Sequence, residues 1–194
     1  MKKALLLTGV SMLLMLSNVH AQKMDEKTNF LSLGIGPAAN YWTTYHSGGT
    51  PALRLAFDHG VKKQGPGIIT LGGALGYFYK YYDGHYYYNH SSYNYKWSWN
   101  YISVVFRAGY NYNMEDAGVS NLNVYGGLGA GLLFSSYHDT YSGPGYVPYD
   151  NANTDFIFNL YVGANYFISQ KMAIYLEFGY DISYATLGVT FNLN

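Results

Sequence analysis

Residues 122–134 read LNVYGGLGAGLLF, a stretch in which two kinds of residue alternate. Leu128, Leu132 and Phe134 stand at even-numbered positions, and the odd-numbered positions from 123 to 131 carry Asn, Tyr or Gly. A period of two is that of a β-strand whose faces meet different surroundings. The stretch therefore predicts a strand with one apolar face and one face of small or polar residues.

The same alternation occurs in seven other segments, so the sequence predicts eight strands. Outside 122–134 the segments are 31–36, 53–58, 69–80, 102–110, 155–166, 174–181 and 187–194. Aromatic residues make up 19% of the chain and charged residues only 11%, which is well below the charged fraction of soluble domains. A membrane-spanning barrel accommodates such a composition because its apolar residues are spread over alternate positions.

The charged residues of these segments lie on the face opposite the large aliphatic residues. They are Arg54, Asp58, Lys80, Arg107, Asp155, Glu177 and Asp181. Because a face of glycine and charge cannot form a hydrophobic core, we expect the apolar face to meet lipid and the polar face to fill the lumen. The predicted fold is all-β, an eight-stranded antiparallel up-and-down transmembrane β-barrel.

The connections between the segments predict how the barrel lies in its membrane. Residues 37–51, 81–96 and 135–154 form long connections, which alternate with the shorter connections 60–67, 111–120 and 169–171. Outer-membrane barrels have short periplasmic turns and longer outer loops. We therefore expect the N-terminus in the periplasm and loops 1 to 3 outside, although the fourth outer loop, 181–184, is short.

The N-terminal residues have the pattern of a secretory signal peptide. Two lysines precede an apolar run at residues 4–16, and Val19 and Ala21 are the small residues before a predicted cleavage site. We expect residues 1–21 to be the signal peptide and residues 22–194 to be one barrel domain. Lys+Arg then falls from 11 to 9 against 11 acidic residues, so a net charge of −2 argues against nucleic acid as a partner.

The glycine-rich strands resemble a known family. The segments 124–131 (VYGGLGAG), 163–167 (GANYF) and 176–180 (LEFGY), with the closing strand at 186–193, are similar to the small outer-membrane β-barrel proteins related to the OmpA transmembrane domain, OmpX and OmpW. The resemblance implies a bacterial outer-membrane location, contact with outer-membrane lipid and lipopolysaccharide, and a monomer.

Three charged residues are candidates for a network in the lumen. Arg54, Arg107 and Glu177 are predicted to point inward, where unpaired charge is costly. Such a network either gates a narrow pore or serves as a structural salt bridge, and the sequence favours the structural role. Lys80, Asp155 and Asp181 are expected near the outer rim, solvated.

A tyrosine-rich segment is the candidate for binding at the cell surface. The segment Tyr77–Tyr101 contains ten tyrosines and two tryptophans. Aromatic side chains beside Asn, Asp and His are suited to binding a sugar or a partner protein. The candidate residues are Tyr81, Tyr82, Tyr86, Tyr87, Tyr88 and Trp97. The sequence favours the other interpretation, in which Tyr77, Tyr79, Tyr180 and their neighbours form an interfacial girdle and the rest extend the strands above the membrane.

Catalytic and metal-binding patterns are weak. His90-Ser91-Ser92 has some likeness to the His-x-Ser arrangement of lipid A deacylases, and His85, His90 and Asp83 fit no metal-ligand spacing. We expect no enzyme activity, no metal and no cofactor. The expected role is structural or adhesin-like, with an occluded lumen and an extracellular ligand at loops 1–3; the alternatives are a narrow porin-like channel and a lipid A-modifying enzyme.

Overall fold

The computed structural model describes residues 24–39, 47–88, 91–141 and 147–194. Within these ranges the chain forms nine β-strands and a single-turn 3-10 helix at Met114–Ala117. The strands are β1 (Asn29–Gly36), β2 (Gly48–Gly49), β3 (Ala52–Gln64), β4 (Gly67–Tyr88), β5 (Ser91–Asn113), β6 (Leu122–Asp139), β7 (Asn151–Phe167), β8 (Met172–Gly179) and β9 (Ala185–Asn192).

Eight of these strands close into a ring. The order is β1-β3-β4-β5-β6-β7-β8-β9, every neighbouring pair is antiparallel, and β9 pairs back onto β1. The two-residue β2 pairs with β4 alongside the ring. Closure gives each of the eight strands a hydrogen-bonded neighbour on both sides, so the ring has no open edge. The predicted eight-stranded up-and-down barrel is confirmed.

The two faces of the strands have the predicted polarity. Leu128 is 65% exposed and Phe158 is 71% exposed on the outer surface, whereas Arg107 and Glu177 are only 2% and 3% exposed in the interior. This is the reverse of a soluble barrel, whose bulky apolar residues fill the centre. Among the described residues, no helix is long and apolar enough to cross a membrane.

The two ends of the barrel differ. The end that we call the turn end carries residues 24–28 and the connections 65–66, 114–121 and 168–171. Gly65 has φ +60° in the first of these connections, a conformation that glycine adopts without steric cost. The opposite end, the loop end, carries the described residues 37–39, 47–51, 140–141, 147–150 and 180–184, together with the ends of β4 and β5 at Tyr88 and Ser91.

One predicted connection is a strand pair. Residues 81–96 were expected to form a long loop, but β4 and β5 continue their antiparallel pairing from Tyr81–Ser98 out to Tyr88–Ser91. The prediction of a loop was wrong, and the other interpretation of this segment, that it extends the strands, is confirmed, because aromatic residues favour strands. The pairing produces a hairpin, Tyr79–Trp99, which projects from the loop end; ten residues of β4 beyond Phe78 span roughly 33 Å along the strand.

The sequence predicted an interior filled by small and polar residues, but apolar side chains are buried there as well. A cluster of Met24, Phe30, Ile68, Phe167 and Ala173 is buried at the turn end. A second cluster of Ala52, Phe78, Tyr101, Leu133 and Ile182 is buried at the loop end. Charged and amide side chains lie between the two clusters, so the barrel interior has three layers, which are apolar, polar and apolar.

Candidate functional site

The polar layer is built around a continuous chain of five charged side chains. Arg54 Nη1 lies 2.8 Å from Asp181 Oδ2, and its Nη2 lies 3.0 Å from Glu177 Oε1. Arg107 Nη2 donates to Glu177 Oε2 at 2.9 Å, and its Nε lies 3.2 Å from Asp58 Oδ1. The order is therefore Asp181–Arg54–Glu177–Arg107–Asp58, with two positive and three negative groups.

The strands place these residues where glycine leaves room. Arg54 stands beside Gly34 on β1 and Gly76 on β4, and Glu177 stands beside Gly163 on β7. A Cβ on Gly76 would collide with the Ile182 side chain and with Ser103 Oγ. Glycine at these positions therefore leaves room for tyrosine, isoleucine and hydroxyl side chains to pack beside the charged residues inside a narrow ring.

Tyrosines surround the charges. The Arg107 guanidinium lies 3.8 Å from the centre of the Tyr161 ring, close enough for a cation–π interaction. Tyr125 and Tyr161 are in ring contact at 6.3 Å, and Tyr175 lies beneath Gly34. The space left in this layer has a volume of about 10 Å³ for the centre of a water molecule, which is about what one water needs.

The N-terminal residues close the turn end. Met24 is buried in the barrel mouth, and Asn113 holds it on both sides, since its Nδ2 donates to Met24 O at 3.1 Å and its Oδ1 accepts from Met24 N at 3.4 Å. Lys27, with φ +69°, turns the chain back, and its N donates to Gly60 O at 2.7 Å. Residues 24–28 thus form a short arm across the mouth.

The connection between β8 and β9 closes the loop end. Ile182 points inward, is fully buried, and its carbonyl oxygen accepts from Ala39 N at 2.8 Å. Ser183 Oγ donates to Pro37 O at 2.8 Å, and Asp181 anchors the same connection to Arg54. This outer connection is short because it folds into the barrel instead of projecting from it.

The hairpin Tyr79–Trp99 has two chemically different faces. On the side toward the barrel axis, Tyr82 stacks on Trp97 at 5.5 Å, and Tyr95 contacts both, at 6.1 and 5.0 Å. On the outer side, Tyr79 and Tyr81 are in ring contact, Lys96 lies over Tyr81, and His85 pairs with Asn94. We call the first side the aromatic face; its rings are Tyr82, Tyr95, Trp97, Trp99, Tyr137 and Tyr141.

Comparison with known proteins decides the family. Residues 10–193 match the model of the outer membrane protein beta-barrel domain. The chain belongs to this family. None of the curated proteins matches it.

Solved structures of one protein resemble this outer-membrane barrel. Ail, the attachment invasion locus protein of Yersinia pestis, in complex with the heparin analogue sucrose octasulfate, is 13% identical, with a TM-score of 0.48 over 86% of this chain and 95% of that chain. The backbone structure of Ail in a phospholipid bilayer nanodisc is 14% identical, with a TM-score of 0.43 over 87% of this chain and 100% of that chain.

The outer-membrane barrel brings all three predicted lumen residues together, because Glu177 contacts both Arg54 and Arg107. Asp58 and Asp181 also belong to the network but were not predicted to do so, and their position on the charged face of their segments was the available signal. Asp181 was expected to be solvated at the rim, which was wrong: it is 1% exposed, because its connection folds inward.

Lys80 was also expected to be solvated, and this was wrong too. It is 2% exposed, and its Nζ donates to Ala39 O at 2.9 Å. Lys80 lies four residues after Gly76 on β4, and it therefore stands on the same inward face of the strand. Its side chain points toward the barrel axis, under the segment that contains Ala39. Asp155 is half-buried, and Asn153 Nδ2 donates to it at 3.0 Å.

The predicted binding residues are divided between the two faces of the hairpin. Tyr82 and Trp97 lie on the aromatic face, whereas Tyr81 and Tyr87 lie on the outer side. The side chains of Tyr86 and Tyr88 lie outside what the structure describes. A strand places successive residues on opposite sides, so neighbouring tyrosines of one segment could not all belong to a single site.

The geometry of the described residues does not support the weak catalytic and metal-binding hypotheses. His90 lies outside the described residues, and His85 Nδ1 pairs with Asn94 Oδ1 at 2.7 Å. In the described part of the chain, no three His, Cys, Asp or Glu side chains converge as metal ligands would.

Proposed function

We propose that this outer-membrane protein is a closed barrel that holds an aromatic hairpin at the cell surface for binding, in an adhesin-like role. Residues 1–21 direct export, the turn end lies in the periplasm and the loop end lies outside. The barrel acts as a monomer in lipid and lipopolysaccharide, and its extracellular ligand is met at the loop end.

The observation that carries the proposal is the contrast between the interior and the loop end. The interior contains two apolar clusters with five charged groups between them, and the space left in the charged layer is about that of one water molecule, which supports an occluded lumen. The hairpin, in contrast, extends many residues past the last interior layer and presents exposed tyrosine, of which Tyr87 is 78% exposed. Tyr, Trp, Ser and Asn together suit a binding surface, because Tyr and Trp give large contact area and Ser and Asn give adaptable hydrogen bonds.

Two measurements on one pair of proteins test the proposal. The pair is the native chain and a shortened variant in which residues 82–97 are replaced by Asn-Gly, a tight hairpin turn. We expect no unitary conductance from either protein in planar bilayers. We also expect cells that display the native protein to adhere to surfaces coated with epithelial cell membranes, and cells that display the shortened variant to lose that adhesion.

Two results would contradict the proposal. Discrete conductance from the native protein would favour the narrow channel instead. Equal adhesion of the native and shortened proteins would show that the hairpin is not the binding element. Both proteins must run faster on gels unboiled than boiled, which shows that the barrel is folded.

A further inference from the structure

We propose that the aromatic face of the hairpin binds an uncharged glycan chain, with sugar rings stacked on Tyr82, Trp97 and their neighbours. This inference rests on the proposed surface-binding function and names the chemistry of the ligand. It is independent of the ion chain in the barrel interior.

The first argument is the arrangement of the rings. Tyr82 and Trp97 are stacked with an interplanar angle of 25°, and Tyr95 connects this pair to Tyr141, with ring centres 6.1 Å apart. Nearer the barrel, Trp99 contacts Tyr137 at 5.4 Å. The rings on β4, β5 and β6 are half-buried, so they are held in place by neighbours and still offer surface. The result is an extended aromatic platform rather than an isolated ring.

The second argument is composition. The 21 residues of Tyr79–Trp99 include no aliphatic side chain and no methionine, and their apolar groups are all tyrosine or tryptophan rings. Surfaces that enter the acyl region of a membrane carry Leu or Phe beside Trp, and the cores of protein interfaces carry Met and Arg beside Tyr and Trp. A sugar ring has one face of C–H groups and a rim of hydroxyls. Aromatic rings match that face, and phenol, indole N–H and Asn or Ser groups match the rim.

The third argument is charge. Among the axis-facing positions of Tyr79–Trp99 that the structure describes, Lys80 is the only charged residue, and it is buried against Ala39 O. On the adjoining β6, Asp139 is also buried. The exposed charges of the hairpin, Asp83 and Lys96, lie on the outer side. A platform that offers rings and no exposed charge selects an uncharged ligand over a sulfated or phosphorylated one.

The test uses the full mature chain in nanodiscs and titration calorimetry. The probes are maltohexaose, mannohexaose and chitohexaose as uncharged oligosaccharides, and a sulfated heparin hexasaccharide as the charged comparison. We expect at least one uncharged probe to bind. The double variant Tyr82→Ala/Trp97→Ala should bind it at least about tenfold more weakly, a change of about 1.4 kcal/mol.

The matched control is Tyr81→Ala/Tyr87→Ala, which removes two rings from the outer side of the same strands. We expect this variant to bind the uncharged probe as the native protein does. The inference is overturned if none of the three uncharged probes binds, if only the sulfated probe binds, or if both double variants lose affinity equally. All three proteins are first checked for the gel shift of a folded barrel.

Adhesion separates failure of this inference from failure of the proposed function. If the shortened variant loses adhesion while the uncharged probes neither bind nor compete, the surface-binding function stands and the ligand is of another class, such as a protein. If the shortened variant adheres as well as the native protein, both proposals fail.

Discussion

Arg107 on β5 reaches across the barrel interior to Glu177 on β8, with 2.9 Å between Nη2 and Oε2. These strands are not neighbours, since β6 and β7 stand between them in the ring. The contact therefore links two walls of the barrel that are not joined by backbone hydrogen bonds. The other carboxylate oxygen of Glu177, Oε1, lies 3.0 Å from Arg54 Nη2 and forms an ion pair with it.

Removal of Arg107 should be more damaging than removal of Glu177. Arg107→Gln leaves one guanidinium against three carboxylates, of which Glu177 and Asp181 are buried, and loss of one partner from a buried ion pair costs about 3–5 kcal/mol of unfolding free energy. Glu177→Gln leaves each arginine with one acid, Asp181 for Arg54 and Asp58 for Arg107, so its cost should be smaller. Urea unfolding in detergent, followed by gel mobility, measures both; a larger cost for Glu177→Gln would contradict the chain described here.

Ile182 should contribute to stability even though it lies in a connection. It is fully buried among Phe78, Tyr101 and Leu133, so Ile182→Ala should lower the unfolding free energy by about 2–5 kcal/mol. The control is Val147→Ala, because Val147 is 82% exposed and its truncation should change stability by less than about 0.5 kcal/mol. Equal, small effects in the same unfolding assay would mean that the connection does not enter the barrel.

Glycine should be required at inward positions and tolerated as alanine at some outward ones. At Gly188 a Cβ would meet Gly34 Cα at 2.6 Å and Tyr175 Cε1 at 2.7 Å, and would collide with Leu33 O. Gly188→Ala should therefore cost about 1–3 kcal/mol. At Gly73 a Cβ would meet Val105 O alone, at 3.3 Å, so Gly73→Ala is the matched control with an effect below about 0.5 kcal/mol.

Orientation in the membrane can be tested by cysteine labelling, because the native chain has no cysteine. Tyr87→Cys at the loop end and Lys63→Cys at the turn end both introduce exposed thiols. We expect a membrane-impermeant maleimide to label Cys at position 87 in intact cells and to label Cys at position 63 only after the outer membrane is opened. The opposite pattern would reverse the proposed orientation.

Alternation along the chain was sufficient to predict the ring of strands and the inward direction of Arg54, Arg107 and Glu177. Both follow from the period of a strand, which is local in sequence. Alternation does not account for every member of the two interior apolar clusters. Met24 and Ile182 belong to no strand, so their burial depends on how an arm and a connection fold over the barrel mouths.

The faces of the hairpin also could not be predicted from the sequence. Its aromatic residues favour strands, but nothing local in the sequence states how far strand pairing continues past the barrel. Pairing of Tyr82 with Trp97 depends on the register of two long strands, and this register then determines which rings share a face. The sequence therefore predicted the residue types of the proposed binding surface but not which individual residues form it.

The chain of charges from Asp58 to Asp181 acts as cross-bracing. Hydrogen bonds between neighbouring strands fix the circumference of a ring but leave it able to flatten, whereas struts between separate walls hold its cross-section. A barrel that is braced in this way holds the β4–β5 hairpin at a constant angle to the membrane plane. A ligand would then meet a hairpin whose base does not move.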